Sequence, residues 1–516
     1  MQYTTLLIVT LTSSCLSIVS GARIIAMFPY IGKSHFDVFE PFVKELAARG
    51  HQVVVLSHFP QKQPITNYTD ISLVGSITTE ARDRIDLGRI SGTEILKTAV
   101  KEIRGIFESC DRMLSFQKVQ DLFQSQETFD LIITETFLAD CFLPLVHKFK
   151  APHVAISSSI MFPWSNDRMG NPDNPSYIPT QGTYFSDKMS FIQRLINVIA
   201  NTALKFIFSA TESTVIAGYV RKHFGDDVPS PSDIARNTSL LLVNTHFSLN
   251  GPRPLVPGIV EVGGLHIRPP KKLPKDLEDY LNGAEHGVIY FSMGSMIRAE
   301  TLPEDKRDAF LQAFSELPQR VLWKWEGDTL PGQPKNVKIA KWLPQFDILN
   351  HPNVRVFVGH GGLLGSIEAV YAGVPMVGIP MFGDQPTNIR AIVNCKMGVK
   401  IDYNEISKES VLKALRTLLD QPSYRENAKR MSKIYLDRPM SAMNTAIFWT
   451  EYIIRHRGAP HLRPAILDLA WYQYLLLDIL AAFLVSIITI VFLIYVITKK
   501  LAKMFTLHHR KKSKQS

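Results

Sequence analysis

Nineteen consecutive residues near the carboxyl end, Ile479–Ile497, carry no charge, and no other feature limits the fold as tightly. At ~1.5 Å per residue a helix of this length spans about 29 Å, close to the hydrocarbon thickness of a bilayer. Trp471, Tyr472 and Tyr474 precede the run, where interface anchors sit, and Lys499 and Lys500 follow it. Asp478 marks the non-cytosolic edge, since a charge at mid-membrane is expensive. A core helix is the alternative, and it suits a run this long and uniform poorly. The expectation is a single transmembrane helix over 475–498, preceded by a juxtamembrane segment (457–474) and followed by a basic cytosolic tail (499–516).

Residues 5–20 (TLLIVTLTSSCLSIVS) are apolar and end in small residues, as a signal peptide over 1–21 does, although no Lys or Arg precedes them. The bulk of the chain is then luminal. Asn67-Tyr68-Thr69 and Asn237-Thr238-Ser239 are glycosylation acceptor triplets on that side. Lys512 and Lys514 in the terminal KKSKQS resemble a dilysine-type retrieval signal. The expected location is therefore the endoplasmic reticulum membrane, with type I topology. The formal charge of +10 is concentrated in Lys499–Ser516, which holds seven basic residues and no acid. The rest of the chain is near balance, which argues against a nucleic-acid binder. Of the four cysteines, Cys15 falls in the signal segment. Cys110, Cys141 and Cys395 leave room for one disulfide and lack metal-ligand spacing.

Between the ends, apolar runs alternate with helical stretches, the mark of parallel sheets covered by helices. RIIAMFPY (23–30), a loop IGKSHF, a helix over VFEPFVKELAARG and HQVVVLS open the first half. FDLIIT (129–134), a helix and PHVAISSS repeat the unit, and the stretch 61–128 reads as mostly helical. A Pro-, Asn- and Ser-rich loop is expected over 163–187, followed by helices. Pro and Gly mark an interdomain linker over 257–274. A second series begins at GVIYFSMGS (287–295) and continues through RVLWKW, NVKIA, VRVFV and PMVGI. Two doubly wound α/β domains, 22–256 and 275–456, facing a cleft are the simplest architecture. The last helices before residue 456 are free to pack back on the first domain.

The strongest local feature is VRVFVGHGGLLGSIEAVYAGVPMVGIPMFGDQ, residues 354–385. His360-Gly361-Gly362 leads from a strand end into a helix, whose free N–H groups and dipole suit a diphosphate. Glycine at such a turn is also common for steric reasons alone. Asp384-Gln385 follow the next strand, and an acid beside an amide offers the acceptors and donors that sugar hydroxyls need.

This stretch resembles the signature of the UDP-glycosyltransferases, the family that contains the animal UDP-glucuronosyltransferases, and is most similar to its arthropod branch. The likeness covers nearly the whole chain. It implies a GT-B architecture of two Rossmann-like domains, the first binding the acceptor and the second a UDP-sugar co-substrate, with no permanently bound cofactor. Carried over by motif, it implies phosphate contacts from His360 and from backbone N–H groups near Gly362, Gly365 and Ser366. Ribose contacts are implied for Glu368 and sugar contacts for Asp384 and Gln385. In KWLPQ it implies that Trp342 stacks on uracil and Gln345 binds uridine; by pattern alone Trp342 reads as core packing. In FSMGS it implies that Ser292, Gly294 and Ser295 approach the nucleotide-sugar. Many relatives have Asn where this chain has Leu364, so one polar contact to the donor is absent or supplied elsewhere.

His35 follows the first strand, where an imidazole can take a proton from an acceptor hydroxyl. A lone His at a helix start is often structural, and it is the resemblance that implies catalysis. Its carboxylate partner matches Glu135 in FDLIITETF, one methylene longer than the Asp of relatives, with Asp140 in LADC as the rival. The implied reaction is a single inverting displacement that yields a β-glycoside and UDP. No Asp-x-Asp triplet occurs, and no metal is expected. The arthropod likeness favours UDP-glucose; the alternative is glucuronosyl transfer, for which residues 354–385 offer only Arg355 as a cationic partner. Membrane placement favours small lipophilic acceptors with a hydroxyl, such as pigments, hormones or toxicants to be detoxified. Self-association stays open. A non-catalytic membrane protein of the same fold is the rival class. An NAD-type oxidoreductase would want G-x-G-x-x-G after the first strand, which is absent.

Overall fold

The computed structural model describes residues 21–77, 85–87, 105–137 and 140–512. The expected signal segment with Cys15, and Lys514 of the retrieval motif, lie outside the described residues. The chain divides between Arg463 and Pro464 into two units.

In the first unit, the first half supplies β1 (Arg23–Phe28), β2 (Gln52–Ser57), β3 (Tyr68–Ser72), β4 (Ile85–Asp86), β5 (Leu131–Glu135), β6 (His153–Ser157), β7 (Leu240–Val243) and β8 (Ile259–Glu261). All but β4 form one parallel sheet in the order β3-β2-β1-β5-β6-β7-β8. The apolar runs are explained by burial on both faces. Ile24, Ala26 and Phe28 enter one hydrophobic cluster, while Ile25 and Met27 enter another. The helix Lys33–Ala48 covers the first of these faces with Phe36, Phe39, Val43 and Leu46, spaced at helical period.

The second half supplies β9 (Val288–Ser292), β10 (Ile297–Arg298), β11 (Arg320–Lys324), β12 (Val337–Ala340), β13 (Val354–Gly359), β14 (Met376–Gly378) and β15 (Gly398–Lys400). Six of these form a parallel sheet ordered β12-β11-β9-β13-β14-β15, and the short β10 pairs with β4 from the other half. The strand order reverses between β1 and β5 in one sheet and between β9 and β13 in the other. Loops leaving the carboxyl ends of those neighbours turn apart, and each opens a crevice.

Three elements depart from the sequence expectation, and a fourth takes up a packing the sequence allowed. Strand β3 lies in the stretch expected to be helical, because pairing with the buried β2 outweighs the weak propensity of a polar, half-exposed edge. A helix, Pro163–Met169, opens the expected loop: Pro163 occupies its first turn, where no N–H is needed, and Gly170 ends it with φ 62°. Strand β8 falls inside the expected linker yet belongs to the first sheet. The helix Ala442–Arg455 returns to the first half, where Ala446, Ile447 and Ile453 join the cluster around β1.

The second unit contains one long helix, Leu477–Lys512, which runs through the expected span and on into the basic tail. An 18-residue stretch within Leu477–Leu507 reaches a mean hydropathy of 2.9, and this portion is long and apolar enough to cross a membrane. The run Phe191–Phe224 in the first unit passes the same test at only 1.2. It is tied to its domain through the buried Asn197, which accepts from Thr180 N at 2.7 Å and donates to Pro175 O and Ile178 O.

Cys110 and Cys141 form a disulfide, tying the helix that precedes β5 to the loop that follows it. With the cysteines separated by 31 positions in sequence, replacing both with Ser is expected to cost about 3.7 kcal/mol by freeing the unfolded chain. Chemical denaturation without reductant measures this; an unchanged midpoint would show that the bridge contributes nothing.

Candidate active site

The crevice between β1 and β5 gathers the first set of side chains. His35 is the third residue of the helix Lys33–Ala48, and its N–H donates to Gly32 O at 3.1 Å. Glu135 is the last residue of β5, one position further into the strand than the sequence suggests. That strand-end position lets the longer side chain reach back: Glu135 Oε1 lies 2.5 Å from His35 Nδ1. Ser158, after β6, places Oγ 2.8 Å from the same nitrogen and 3.4 Å from the same carboxylate oxygen. Ser158 is held in turn by Asn244, whose amide donates to its carbonyl at 2.8 Å. With Nδ1–H committed to the carboxylate, Nε2 is the nitrogen left to accept a proton. Tyr30 and Phe137 flank the imidazole at 4.4 and 4.6 Å between ring centroids. Phe137 continues into an aromatic ladder through Phe162, Trp164 and Phe208.

Asp140 is not at His35. It is buried in an ion pair with Arg168, which also reaches Glu212 at 3.0 Å. Ser232 Oγ donates to Glu212 at 2.5 Å, and burial together with the Asp140 charge pushes the Glu212 carboxyl upward. Of the two candidate partners, the structure brings Glu135 to His35 and gives Asp140 to a guanidinium.

The crevice between β9 and β13 gathers the second set. Gly294 has φ 80°, and a Cβ there would stand 2.5 Å from His360 Cε1. A Cβ on Gly362 would likewise lie 2.6 Å from His360 Nε2. Only glycine lets both loops close on this imidazole. Gly362 caps the helix Leu363–Ala372, whose first N–H groups have no helical acceptor. The Ser366 N–H is already used, donating to Gly362 O at 3.0 Å, while its buried Oγ lacks a partner. Burial, helped by the nearby Lys324 charge, lowers the His360 pKa to about 4, so the ring is neutral. Lys324 Nζ pins the Gly294 carbonyl at 2.9 Å. Ser292 Oγ accepts from Gly294 N at 3.3 Å, and Ser295 follows it half-exposed.

Deeper along the same helix, Glu368 Oε2 accepts from Gln345 Nε2 at 2.7 Å, and Gln345 sits directly over Gly365. Burial raises Glu368 to about 7 against the pull of that amide, and the Asp37 charge from the first half pushes the same way. Asp384 caps the helix Gln385–Asn394 and accepts from Asn388 Nδ2 at 2.9 Å. Burial raises the Asp384 pKa, and the His35 imidazole across the cleft draws it back down. Gln385 Oε1 accepts from Met381 N at 2.9 Å and fixes the loop before it, leaving its amide hydrogens for other partners. Trp342 is not core packing: it is 72% exposed beside an open depression of about 490 Å³ that Lys271, Lys338 and Asp347 also line. Leu364 packs against the hydrophobic cluster of the first half.

Sequence reasoning missed Ser158, Lys324 and Asn388. Ser158 stood in a run of three serines with nothing to distinguish it. Lys324 was visible only as a charge inside a buried strand, which was itself the signal. Asn388 lies four residues beyond Asp384, a helical spacing that puts an amide beside the acid.

Residues 28–515 match the family model described as UDP-glucoronosyl and UDP-glucosyl transferase. Among curated proteins, a UDP-glycosyltransferase (UGT5) of Dactylopius coccus is 45% identical, covering 94% of this chain and 93% of its own length. The UDP-glucosyltransferase 2 of the same organism is 40% identical over 99% of this chain and 98% of its own. Among solved structures, the glycotransferase of kitacinnamycin superposes with a TM-score of 0.58 at 17% identity, covering 84% of this chain and 99% of the other. At that identity it speaks to the fold alone, a GT-B glycosyltransferase fold.

The environment of Glu368 makes a prediction for the unliganded protein. An unfolded Glu titrates near 4.5, and the folded one near 7. Between these values folding takes up a proton, so stability falls as pH rises through the window and levels off above it. Glu368→Gln is expected to raise the thermal midpoint above about pH 7, the gain shrinking toward pH 4.5. A midpoint difference that does not vary with pH would refute this.

Proposed function

The chain belongs to the UDPGT family and is a UDP-glycosyltransferase that uses a UDP-sugar donor, and from that premise we propose that it transfers glucose, with inversion, to a hydroxyl of a small lipophilic acceptor. The observation that carries the reading is the 2.5 Å pair of His35 and Glu135 at one crevice, with Asp384 of the other crevice within electrostatic reach of the same imidazole. In this reading residues 22–256 bind the acceptor and 275–456 the donor.

His35 Nε2 takes the acceptor proton as the oxygen attacks the anomeric carbon, and Glu135 stabilises the imidazolium that forms. Ser158 and the flanking Tyr30 and Phe137 hold the ring in its rotamer. The departing UDP is received by the start of the helix Leu363–Ala372 and by a hydrogen bond from His360. Gln345 and Glu368 hold uridine and its ribose, Trp342 offers its exposed face to uracil, and Asp384 with Gln385 holds the sugar. A single displacement turns an α-linked donor into a β-glycoside. The roles of Ser292, Gly294 and Ser295 are to bring backbone close to the diphosphate.

Glucose is favoured over glucuronic acid by the 40% identical UDP-glucosyltransferase and by the position of Arg355. Arg355 lies at the amino end of β13, its side chain against Gly287, away from the edge where Asp384 sits. The aromatic ladder from Phe137 to Phe208 supplies an apolar wall beside His35, which favours lipophilic alcohols and phenols. The membrane-competent helix Leu477–Leu507 agrees with an endoplasmic reticulum enzyme, type I, with its catalytic domains in the lumen.

Two experiments test the reading. Release of UDP with phenolic acceptors is expected from UDP-glucose at a rate at least about tenfold above that from UDP-glucuronate, since each lost charge-assisted contact costs about that factor; the reverse order would assign glucuronosyl transfer. His35→Ala is expected to lower kcat roughly 10²–10⁴-fold while UDP affinity is unchanged. Glu135→Gln should lose far more kcat than Asp140→Asn, whose damage should appear in stability instead. Equal losses in kcat would remove Glu135 from the mechanism.

A further inference from the structure

The segment that leaves β8 is pinned at almost every residue. Gly263 O accepts from Tyr435 Oη at 2.6 Å and from Arg438 Nη1 at 3.2 Å, and Gly264 N donates to Asn244 Oδ1. Arg268 forms a bidentate pair with Asp347 at 2.8 and 2.6 Å, and Lys271 N donates to the same carboxylate. Asp347 lies on the helix Gln345–Leu349, and Gln345 at its start holds Glu368.

His266 sits inside this frame and does not share in it. Its imidazole is 7% exposed and, among the described residues, neither ring nitrogen has a side-chain hydrogen-bond partner; the Leu364 backbone is the hydrogen-bonding group beside it. The nearest groups are the Leu364 backbone and Glu368 Oε1, which is 3.8 Å from Nε2. Burial lowers the imidazole pKa to about 4, so it carries one N–H that has to be placed. Among the described residues Glu368 is the acid facing this ring: Gln345 engages one of its oxygens, and the other, Oε1, stands 3.8 Å from a nitrogen whose buried N–H is costly to leave without a strong acceptor. Segment, Asp347, Gln345, Glu368 and His266 form a ring that lacks only this last link.

We propose that His266 is a positioning residue for the donor: its Nε2–H closes on Glu368 Oε1 when ribose hydroxyls bind that carboxylate, orienting it and tying the segment between the two sheets to donor occupancy. This rests on the reading that Glu368 holds the ribose. The hydroxyls donate to the carboxylate and favour its ionised form, which is the better acceptor for an imidazole N–H. A movement of about 1 Å brings 3.8 Å to hydrogen-bond length.

The full chain in detergent, titrated calorimetrically with UDP and with 2′,3′-dideoxy-UDP, tests the proposal without any acceptor or sugar. His266→Leu fills the space without a donor and is expected to weaken UDP about tenfold while leaving dideoxy-UDP unchanged. His266→Gln, which keeps a donor, should recover most of the loss. Equal weakening of both nucleotides, or of neither, would overturn it, and so would a Gln variant that behaves like Leu. If the wild-type protein binds the two nucleotides equally, the ribose role of Glu368 falls and the proposal with it. UDP-glycosyl transfer itself is untouched by any of these outcomes.

Discussion

Parallel strands cannot be joined by tight turns, so each must be followed by a crossover that returns the chain to the opposite edge of the sheet. In this protein both main sheets are wholly parallel, and the loops that carry chemistry therefore leave from one edge of each. Where the order reverses, at β1/β5 and β9/β13, residues far apart in sequence arrive together. His35 and Glu135 are 100 positions apart in sequence, and their side chains meet at 2.5 Å. Gly294 and His360 meet in the same way in the second sheet, at a closeness that permits no side chain on the glycine. The rigidity of these meetings comes from strands buried on both faces, with Trp323, Tyr290 and Phe291 among the largest fully enclosed side chains of the second half.

Much of this was legible in the sequence because double burial leaves a plain mark. Near-continuous apolar runs such as IIAMF and VLW cannot be half-exposed strands, and the glycines at 294 and 361–362 mark the exits. The less legible parts are those whose conformation is set by a distant partner. Strand β3, YTDIS by sequence, is polar enough to read as anything, and its pairing with β2 makes it a strand. Glu135 and Asp140 are five residues apart, and no periodicity can tell which of them turns toward residue 35. Arg168 decides the matter by claiming Asp140, and nothing near Arg168 in the sequence announces it. Trp342 shows the reverse error: an aromatic beside apolar residues reads as core, yet the chain around it is a surface loop and the ring stands in solvent.

Leu364 shows how a departure from the family pattern can be absorbed. The leucine joins the apolar cluster of the other half, alongside Phe59 and Met443. The half-buried leucine thereby makes an apolar contact between the two halves of the first unit, where the resemblance implies a polar contact to the donor.

The buried acids separate into two kinds by what they are given as partners. Asp140 has Arg168 and Asp347 has Arg268, each a guanidinium, and burial of Asp347 is overcome so that its pKa falls below the ordinary value. Such pairs are complete in the unliganded protein, and removing one member strands the other. Glu368 and Asp384 have only amides, Gln345 and Asn388, and both are raised by burial. An amide satisfies one lone pair and neutralises no charge. A carboxylate left in that condition is destabilising unless something with hydroxyls arrives, and the two acids so placed are those to which the proposed function gives the ribose and the sugar. Glu135 stands between the kinds: its partner is an imidazole, the base of the proposed proton transfer. The charge state of each partner thus sorts the acids into those that hold the fold and those that wait for a substrate.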